Sequence, residues 1–242
     1  MINFLKGKIA LNCLCGSKEN AKEILDATEG HAVYGILTSA FDSAEAAIQC
    51  IKDYQDCCGH AASVGLGAGN PAYWLRVAQV SAKIQPAHIN QVFSAVGFTR
   101  ALVGEAPWIN CLIQPSGQPG SVIISTGEFS SKAEEAALVP VRTAVLMAKE
   151  MGANAVKFFP MKGEKALEEV KVLATHCAAL GLAVEPTGGL DLENFLPITQ
   201  AILKEGVQTV IPHVYSSIID KESGQTRIED VQKIYHMMQE LA

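Results

Sequence analysis

Asn154-Ala155-Val156-Lys157-Phe158-Phe159-Pro160 is an apolar run with a single charge inside it. It reads as a strand, and helical patterns flank it on both sides. Side chains alternate along a strand, so Ala155, Lys157 and Phe159 share one face while Val156 and Phe158 take the other. A lysine is rarely placed in such a run without a partner or a task. Desolvation disfavours the ammonium, and a neutral amine facing a keto group makes a Schiff base. The same pattern also fits a lysine at a strand end that reaches solvent or pairs with a carboxylate.

Outward from this strand the unit repeats. Strands are expected at Lys8–Leu14, His31–Ser39, Ala61–Leu66, Ile84–Ile89, Trp108–Ile113, Ala155–Phe159, Leu182–Glu185 and Val207–His213. Helices are expected at Ser17–Glu29, from Asp42 or Ser43 to Cys57, from Pro71, over 90–103, and at Ser131–Gly152, Glu164–Leu180, Asp191–Glu205 and Thr226–Leu241. Gln114–Ser130 breaks the rhythm. It is rich in turn residues, holds a short extra strand near Val122–Ser125, and reads as an excursion on a βα loop. Eight strands alternating with eight helices in this length predict a (β/α)8 TIM barrel, one domain over residues 1–242. An open doubly wound sheet is the alternative, but Leu14-Cys15-Gly16-Ser17-Lys18 has one glycine where a phosphate fingerprint would have several.

Composition narrows the function. Of the 242 residues 49% are hydrophobic and only 6% aromatic, as buried parallel strands under helices require. The net charge is −6 and no basic patch carries interleaved aromatics, so no nucleic acid partner is expected. No apolar run approaches ~18 residues, and the N-terminus lacks a signal-peptide pattern, so no membrane partner is expected. Seven scattered cysteines point to reduced thiols in the cytoplasm. Neither Cys13 and Cys15 nor Cys57 and Cys58 has zinc-site spacing, and no clustered His/Asp/Glu set is visible, so no metal or other cofactor is expected.

In a barrel, function sits at the C-terminal ends of the strands. Lys157 falls there. So does Pro186-Thr187-Gly188-Gly189, whose successive glycines allow backbone N–H groups to converge on an anion, or simply make a tight turn. Gly65, Gly67 and Gly69, with Asn70, form a weaker turn after the third strand.

Together these segments carry a resemblance. Lys157-Phe158-Phe159-Pro160 resembles the Lys-x-Phe-Pro signature of class I 2-keto-3-deoxy-6-phosphogluconate (KDPG) aldolases. Gly67-Ala68-Gly69-Asn70 resembles that family's Gly-Ala-Gly-Thr turn, and Pro186-Thr187-Gly188-Gly189-Leu190 its Pro-Thr-Gly-Gly-Ile segment. Across nearly its whole length, including Asn90-Gln91-Val92-Phe93 and Ile211-Pro212-His213-Val214-Tyr215, the chain is similar to a divergent branch, the KDGP aldolases of D-glucosaminate and related sugar-acid breakdown. The resemblance implies a Schiff base on Lys157, retro-aldol cleavage of a phosphorylated keto acid, a small-molecule partner, and a homo-oligomer. It implies substrate binding by Thr187, Gly188 and Gly189, and a pocket wall at Phe159 and Pro160.

The chain departs from the better-known KDPG aldolases in two places. Their general-base glutamate at the end of the second strand has no counterpart in Val33-Tyr34-Gly35-Ile36-Leu37-Thr38-Ser39, and their eighth-strand glycines are replaced by Pro212-His213-Val214-Tyr215-Ser216-Ser217. Candidates for the acid/base group are Glu185, then His213, then Asp42; His213 could instead be a core histidine and Asp42 a helix cap. Of four arginines, Arg100 is the candidate to grip a carboxylate, and Lys162 could meet phosphate. The alternatives to KDPG cleavage are cleavage of 4-hydroxy-2-oxoglutarate by the same lysine and a non-catalytic sugar-phosphate-binding barrel.

Overall fold

The computed structural model describes residues 1–242. Seven parallel strands form the wall: β1 (Leu11–Leu14), β2 (Ala32–Leu37), β3 (Ala62–Gly65), β4 (His88–Val92), β5 (Trp108–Pro115), β8 (Ala155–Phe158) and β9 (Ala183–Pro186), each paired with the next in that order. Two further strands, β6 (Ser121–Ile123) and β7 (Leu138–Pro140), stand outside it. Eight helices cover the wall: α1 (Lys18–Ala27), α2 (Ala44–Cys58), α3 (Trp74–Ile84), α4 (Val96–Val103), α5 (Val141–Glu150), α6 (Leu167–Ala179), α7 (Phe195–Lys204) and α8 (Ile228–Leu241).

The eighth place in the wall is filled by Val207–His213. This segment bridges β9 and the residue after it on one side, through Val184↔Val210 and Thr187↔His213, and β1 and Ile9, two residues before it, on the other, through Asn12↔His213 and Ile9↔Val210. Backbone bonds such as Val210 N–H to Lys8 O (2.8 Å) and His213 N–H to Pro186 O (3.0 Å) close the barrel. The pairing is broken into single bridges where Pro212, which has no N–H, interrupts the ladder.

The chain places its apolar core between wall and helices. Leu11, Cys13, Ile36, Val64, Ile89, Cys111, Val156, Phe158 and Val184 all face outward into one hydrophobic cluster. Alternation then sends the intervening residues into the barrel. These are strongly polar: Asn12, Ser63, His88, Asn90, Asn110, Glu185 and His213 are all buried. A TIM-barrel interior is more often filled by branched aliphatics.

That polar layer explains one correction. The fourth strand is not Ile84–Ile89 but His88–Val92, and 90–92 is strand rather than helix; α3 continues to Ile84, and Gln85 leaves it in a left-handed conformation ahead of Pro86. Polar residues at 88, 90 and 91 read as a solvated surface, whereas all three are buried: His88 and Asn90 face into the barrel, and Gln91 faces the helices, donating to Trp74 O and Thr99 Oγ1. A second correction concerns Ser131–Gly152. Only Val141–Glu150 is α-helical, and the stretch begins with no more than a single 3-10 turn at Ser130–Lys132. Pro140 cannot lie in a helix interior and disfavours helix in the residue before it, and the stretch 131–138 is exposed with no apolar face to bury. The excursion expected at 114–130 therefore runs on to Pro140, as an antiparallel meander of the end of β5 with β6 and β7. Its first turn is tied down by Glu169 on α6, which accepts from the Ser116 (2.8 Å) and Gly117 (3.0 Å) N–H groups.

Candidate active site

A cavity of about 340 Å³ opens at the C-terminal end of the barrel. Lys157, one residue from the end of β8, projects into it, flanked in the wall by Leu112 on β5 and Glu185 on β9. Its amine donates to Asn90 Oδ1 at 2.9 Å and lies 6.0 Å from the ring centroids of both Phe159 and Tyr215. No carboxylate forms a salt bridge with it, so the ion-pair reading falls away, and the half-buried side chain ends in the cavity rather than on the outer surface. Burial pushes its pKa down to about 8, the charge of Glu185 opposing the shift. A lysine poised there is a nucleophile near neutral pH.

Below the lysine, the inward polar side chains form one hydrogen-bonded network. Glu185 is fully buried and accepts from four N–H donors: His213 Nε2 (2.8 Å), His88 Nε2 (3.1 Å), Asn110 Nδ2 (2.6 Å) and Trp108 Nε1 (3.1 Å). Burial would raise its pKa, but the two imidazoles outweigh burial and hold the carboxyl far below the usual range. With Nε2 protonated on both rings, each Nδ1 is an acceptor. That of His88 takes the Ser63 hydroxyl at 2.7 Å, and that of His213 takes the Tyr215 hydroxyl at 2.9 Å. Asn90 Nδ2 donates to Ser63 Oγ at 3.1 Å, and Asn110 Nδ2 donates to Asn90 Oδ1 at 2.9 Å, which carries the network back to Lys157. Burial, then the Lys157 charge, lowers the His213 pKa to about 3 against the pull of Glu185, so this imidazole is neutral at rest. Burial, then the Glu185 charge, pushes the Tyr215 phenol well above its ordinary value.

The fold thus brings together a His/Glu set that no spacing in the sequence reveals: donor atoms of His88, Glu185 and His213 lie within 4.8 Å of one another. Four N–H groups already aim at the two carboxylate oxygens, and the set is satisfied as hydrogen bonds.

The rim is backbone. Gly188, Gly189 and Ser216 line the cavity from the loops after β9 and after the eighth segment, and their N–H groups meet no acceptor in the protein. Gly189 (φ +76°) tolerates no side chain, because a Cβ would lie 2.5 Å from the Gly163 nitrogen. Gly69 packs the same way on the Phe159 ring, at 2.9 Å.

Of the residues expected at the site, Lys157, Phe159, Thr187, Gly188, Gly189, Gly69 and His213 line the cavity. Thr187 also gives its hydroxyl proton to the Glu185 carbonyl at 3.1 Å. Pro160, after a cis peptide bond, lies behind Gly188 rather than on the cavity wall. Glu185 sits inside the barrel, not at its mouth, and its saturated carboxylate is a poor direct base. Asn70 caps the short turn of Pro71–Tyr73 through the Ala72 N–H (3.0 Å) and does not line the cavity. Asp42 lies off the cavity, and the cap of α2 is Ser43, which accepts from the Ala46 N–H at 3.1 Å. Lys162 is exposed, outside the lining. Arg100 is the clearest correction. Its guanidinium donates to Gly104 O, Pro107 O, Gly152 O and Asn154 Oδ1 at 2.6–3.0 Å, tying together segments at the N-terminal ends of β5 and β8. Sequence reasoning gave no site role to Tyr215, Asn90, Ser63, His88 or Asn110. The available signal was polar alternation: His88 with Asn90, and His213 with Tyr215, each two apart in an apolar segment.

A family model described as KDGP aldolase matches residues 5–222. A curated 2-dehydro-3-deoxy-phosphogluconate aldolase of Salmonella typhimurium is 44% identical over 245 residues, covering 99% of this chain and 98% of that protein. Among solved structures, native KDPGal is similar with a TM-score of 0.58 at 14% identity, over 99% of this chain and 98% of that one. A mutant tryptophan synthase α-subunit from a hyperthermophile, Pyrococcus furiosus, gives 0.59 at 16% identity, over 97% and 98% of the two chains. At such identities these last two likenesses are of fold.

Proposed function

The chain belongs to the KDGP aldolase family, and from that membership and the site we propose a class I aldolase that uses Lys157 to cleave 2-dehydro-3-deoxy-6-phosphogluconate to pyruvate and glyceraldehyde 3-phosphate. The observation that carries the mechanism is the amine itself: cavity-facing, unpaired with any carboxylate, held by Asn90 Oδ1 and depressed to about 8. The neutral amine adds to the C2 ketone, and loss of water gives an iminium. The C3–C4 bond then breaks, its electrons flow into the iminium, and an enamine of pyruvate remains on Lys157 while the C4 oxygen becomes the aldehyde. Protonation at C3 and hydrolysis release pyruvate.

The cavity volume of about 340 Å³ falls within the roughly 300–1,000 Å³ of small-molecule sites. No arginine lines it. The groups suited to the substrate's phosphate are therefore the free backbone N–H groups of Gly188, Gly189 and Ser216, the kind of nest that binds anions without a formal charge. This takes the place of the eighth-strand glycines that the chain lacks.

The test is borohydride trapping with pyruvate, followed by peptide mass mapping. A reduced adduct on Lys157 is expected. Cleavage that persists with no lysine modified sinks the Schiff-base mechanism.

A further inference from the structure

Resting on Lys157 as the imine-forming residue, we infer that Tyr215 is the acid/base catalytic residue of the cleavage, passing the proton of the substrate's C4 hydroxyl to His213, which is positioned by Glu185. The family resemblance leaves this role empty, because the second strand carries no carboxylate.

As C3–C4 breaks, the C4 hydroxyl must give up a proton. The titratable residues lining the cavity are Lys157, His213 and Tyr215, and no carboxylate is among them. Lys157 is committed to the imine. His213 has both ring nitrogens engaged, Nε2 by Glu185 at 2.8 Å and Nδ1 by the Tyr215 hydroxyl at 2.9 Å. The phenol therefore stands between substrate and imidazole. Its only proton points at His213, with Asn12 Oδ1 as a second, longer acceptor at 3.2 Å. The lone pairs of its oxygen remain to accept from the substrate.

Reach is adequate. The C4 oxygen stands four bonds from the imine nitrogen, ~4 Å at bond lengths near 1.5 Å. The Tyr215 ring centroid is 6.0 Å from Lys157 Nζ.

The step balances. The substrate O–H proton moves to the Tyr215 oxygen while the phenolic proton moves to His213 Nδ1. The C4–O bond becomes C=O, the C3–C4 pair enters the iminium, and the iminium becomes a neutral enamine. Before the step the buried charges are iminium and Glu185 carboxylate; after it they are His213 imidazolium and the same carboxylate. The positive charge moves, and the sum is unchanged. The charge of Lys157 is a main reason His213 is a weak base at rest, and it vanishes in the very step that needs His213 to accept. The other titratable groups bearing on the pair are His88, on the far side of Glu185, and the buried Cys13 thiol. The proton held on His213 is the one that C3 of the enamine requires to become pyruvate.

Tyr215→Phe keeps the ring and removes the relay. Its kcat should fall by about 10²- to 10⁴-fold with KM little changed, while borohydride still traps pyruvate on Lys157. His213→Gln should cost kcat similarly, and the double variant should be no worse than either single one, because the two act as a unit. Wild-type kcat in Tyr215→Phe overturns the assignment, as does loss of pyruvate trapping in that variant, and additive losses in the double variant overturn the relay. Absence of trapping in the unmutated protein would instead overturn the role of Lys157 on which the inference rests.

Discussion

Raising the pH from 6 to 8 should accelerate imine formation by about 50-fold and then bring it to a plateau. The magnitude follows from Lys157. With a pKa of about 8, the amine is neutral to about 1% at pH 6, about 9% at pH 7, about half at pH 8 and about 90% at pH 9. A lysine at the ordinary 10.5 would show log-linear growth with no bend until beyond pH 10. The assay is the rate of borohydride-trapped adduct formation with pyruvate, which carries no phosphate and so adds no substrate ionisation near pH 6. The profile should bend near pH 8. Glu185→Gln should move that bend to lower pH, because the carboxylate is the group that opposes the lowering. A rate still climbing steadily at pH 10 would refute the claim that burial has depressed the amine.

Lys157→Met should abolish turnover yet stabilise the fold at pH 7 by on the order of 3 kcal/mol, the equivalent of the gap between about 8 and 10.5. The wild type carries this penalty below about pH 8, and between about pH 8 and 10.5 its folded state sheds a proton that the unfolded chain keeps. The Met variant's advantage should therefore shrink as pH rises through that window, measured by denaturant melts. Arg100→Ala leaves three carbonyls and Asn154 without their guanidinium donor and should lower stability by about 3 kcal/mol with KM unchanged, seen by melts and kinetics together. Gly189→Ala forces the Gly163 backbone away and should raise KM for the phosphorylated substrate about tenfold, ~1.4 kcal/mol, while pyruvate trapping continues.

The fold was legible because its signal is repetition. Apolar strands alternating with helices survive errors at single boundaries, and the eighth place in the wall was found even though Pro212 breaks its ladder. The boundaries failed where polarity misled. His88-Ile89-Asn90-Gln91-Val92 looks half solvated only because periodicity treats polar residues as exposed. The position of Lys157 on the cavity was legible for the converse reason, a charge where the pattern calls for none. Arg100 misled because chain position after a strand does not say which end of the barrel a side chain reaches. Its guanidinium points to the N-terminal ends of neighbouring strands. Tyr215 was missed because the role inferred for it lies in what the hydroxyl touches, and a strand pattern carries no information about which residues of eight different strands meet inside a barrel.

Glu185 shows how burial separates charge from proton transfer. A carboxylate in this position, beside the nucleophile and before the glycine turn, invites the role of base. Four N–H donors and a depressed pKa make it nearly unable to bind a proton at working pH. That inability is useful. A buried cation on Lys157 or on His213 needs a fixed counter-charge that does not itself neutralise, since taking up the proton would leave the cation unpaired in an apolar-walled site. The inward polar layer is thus the electrostatic foundation of the lysine. In the mechanism proposed above, it keeps one permanent negative charge under a positive charge that is ammonium at rest, iminium on binding and imidazolium after cleavage. Replacing the layer with the aliphatic interior usual in such barrels would lower the Lys157 pKa still further, and would leave the iminium with no partner at the step that depends on it.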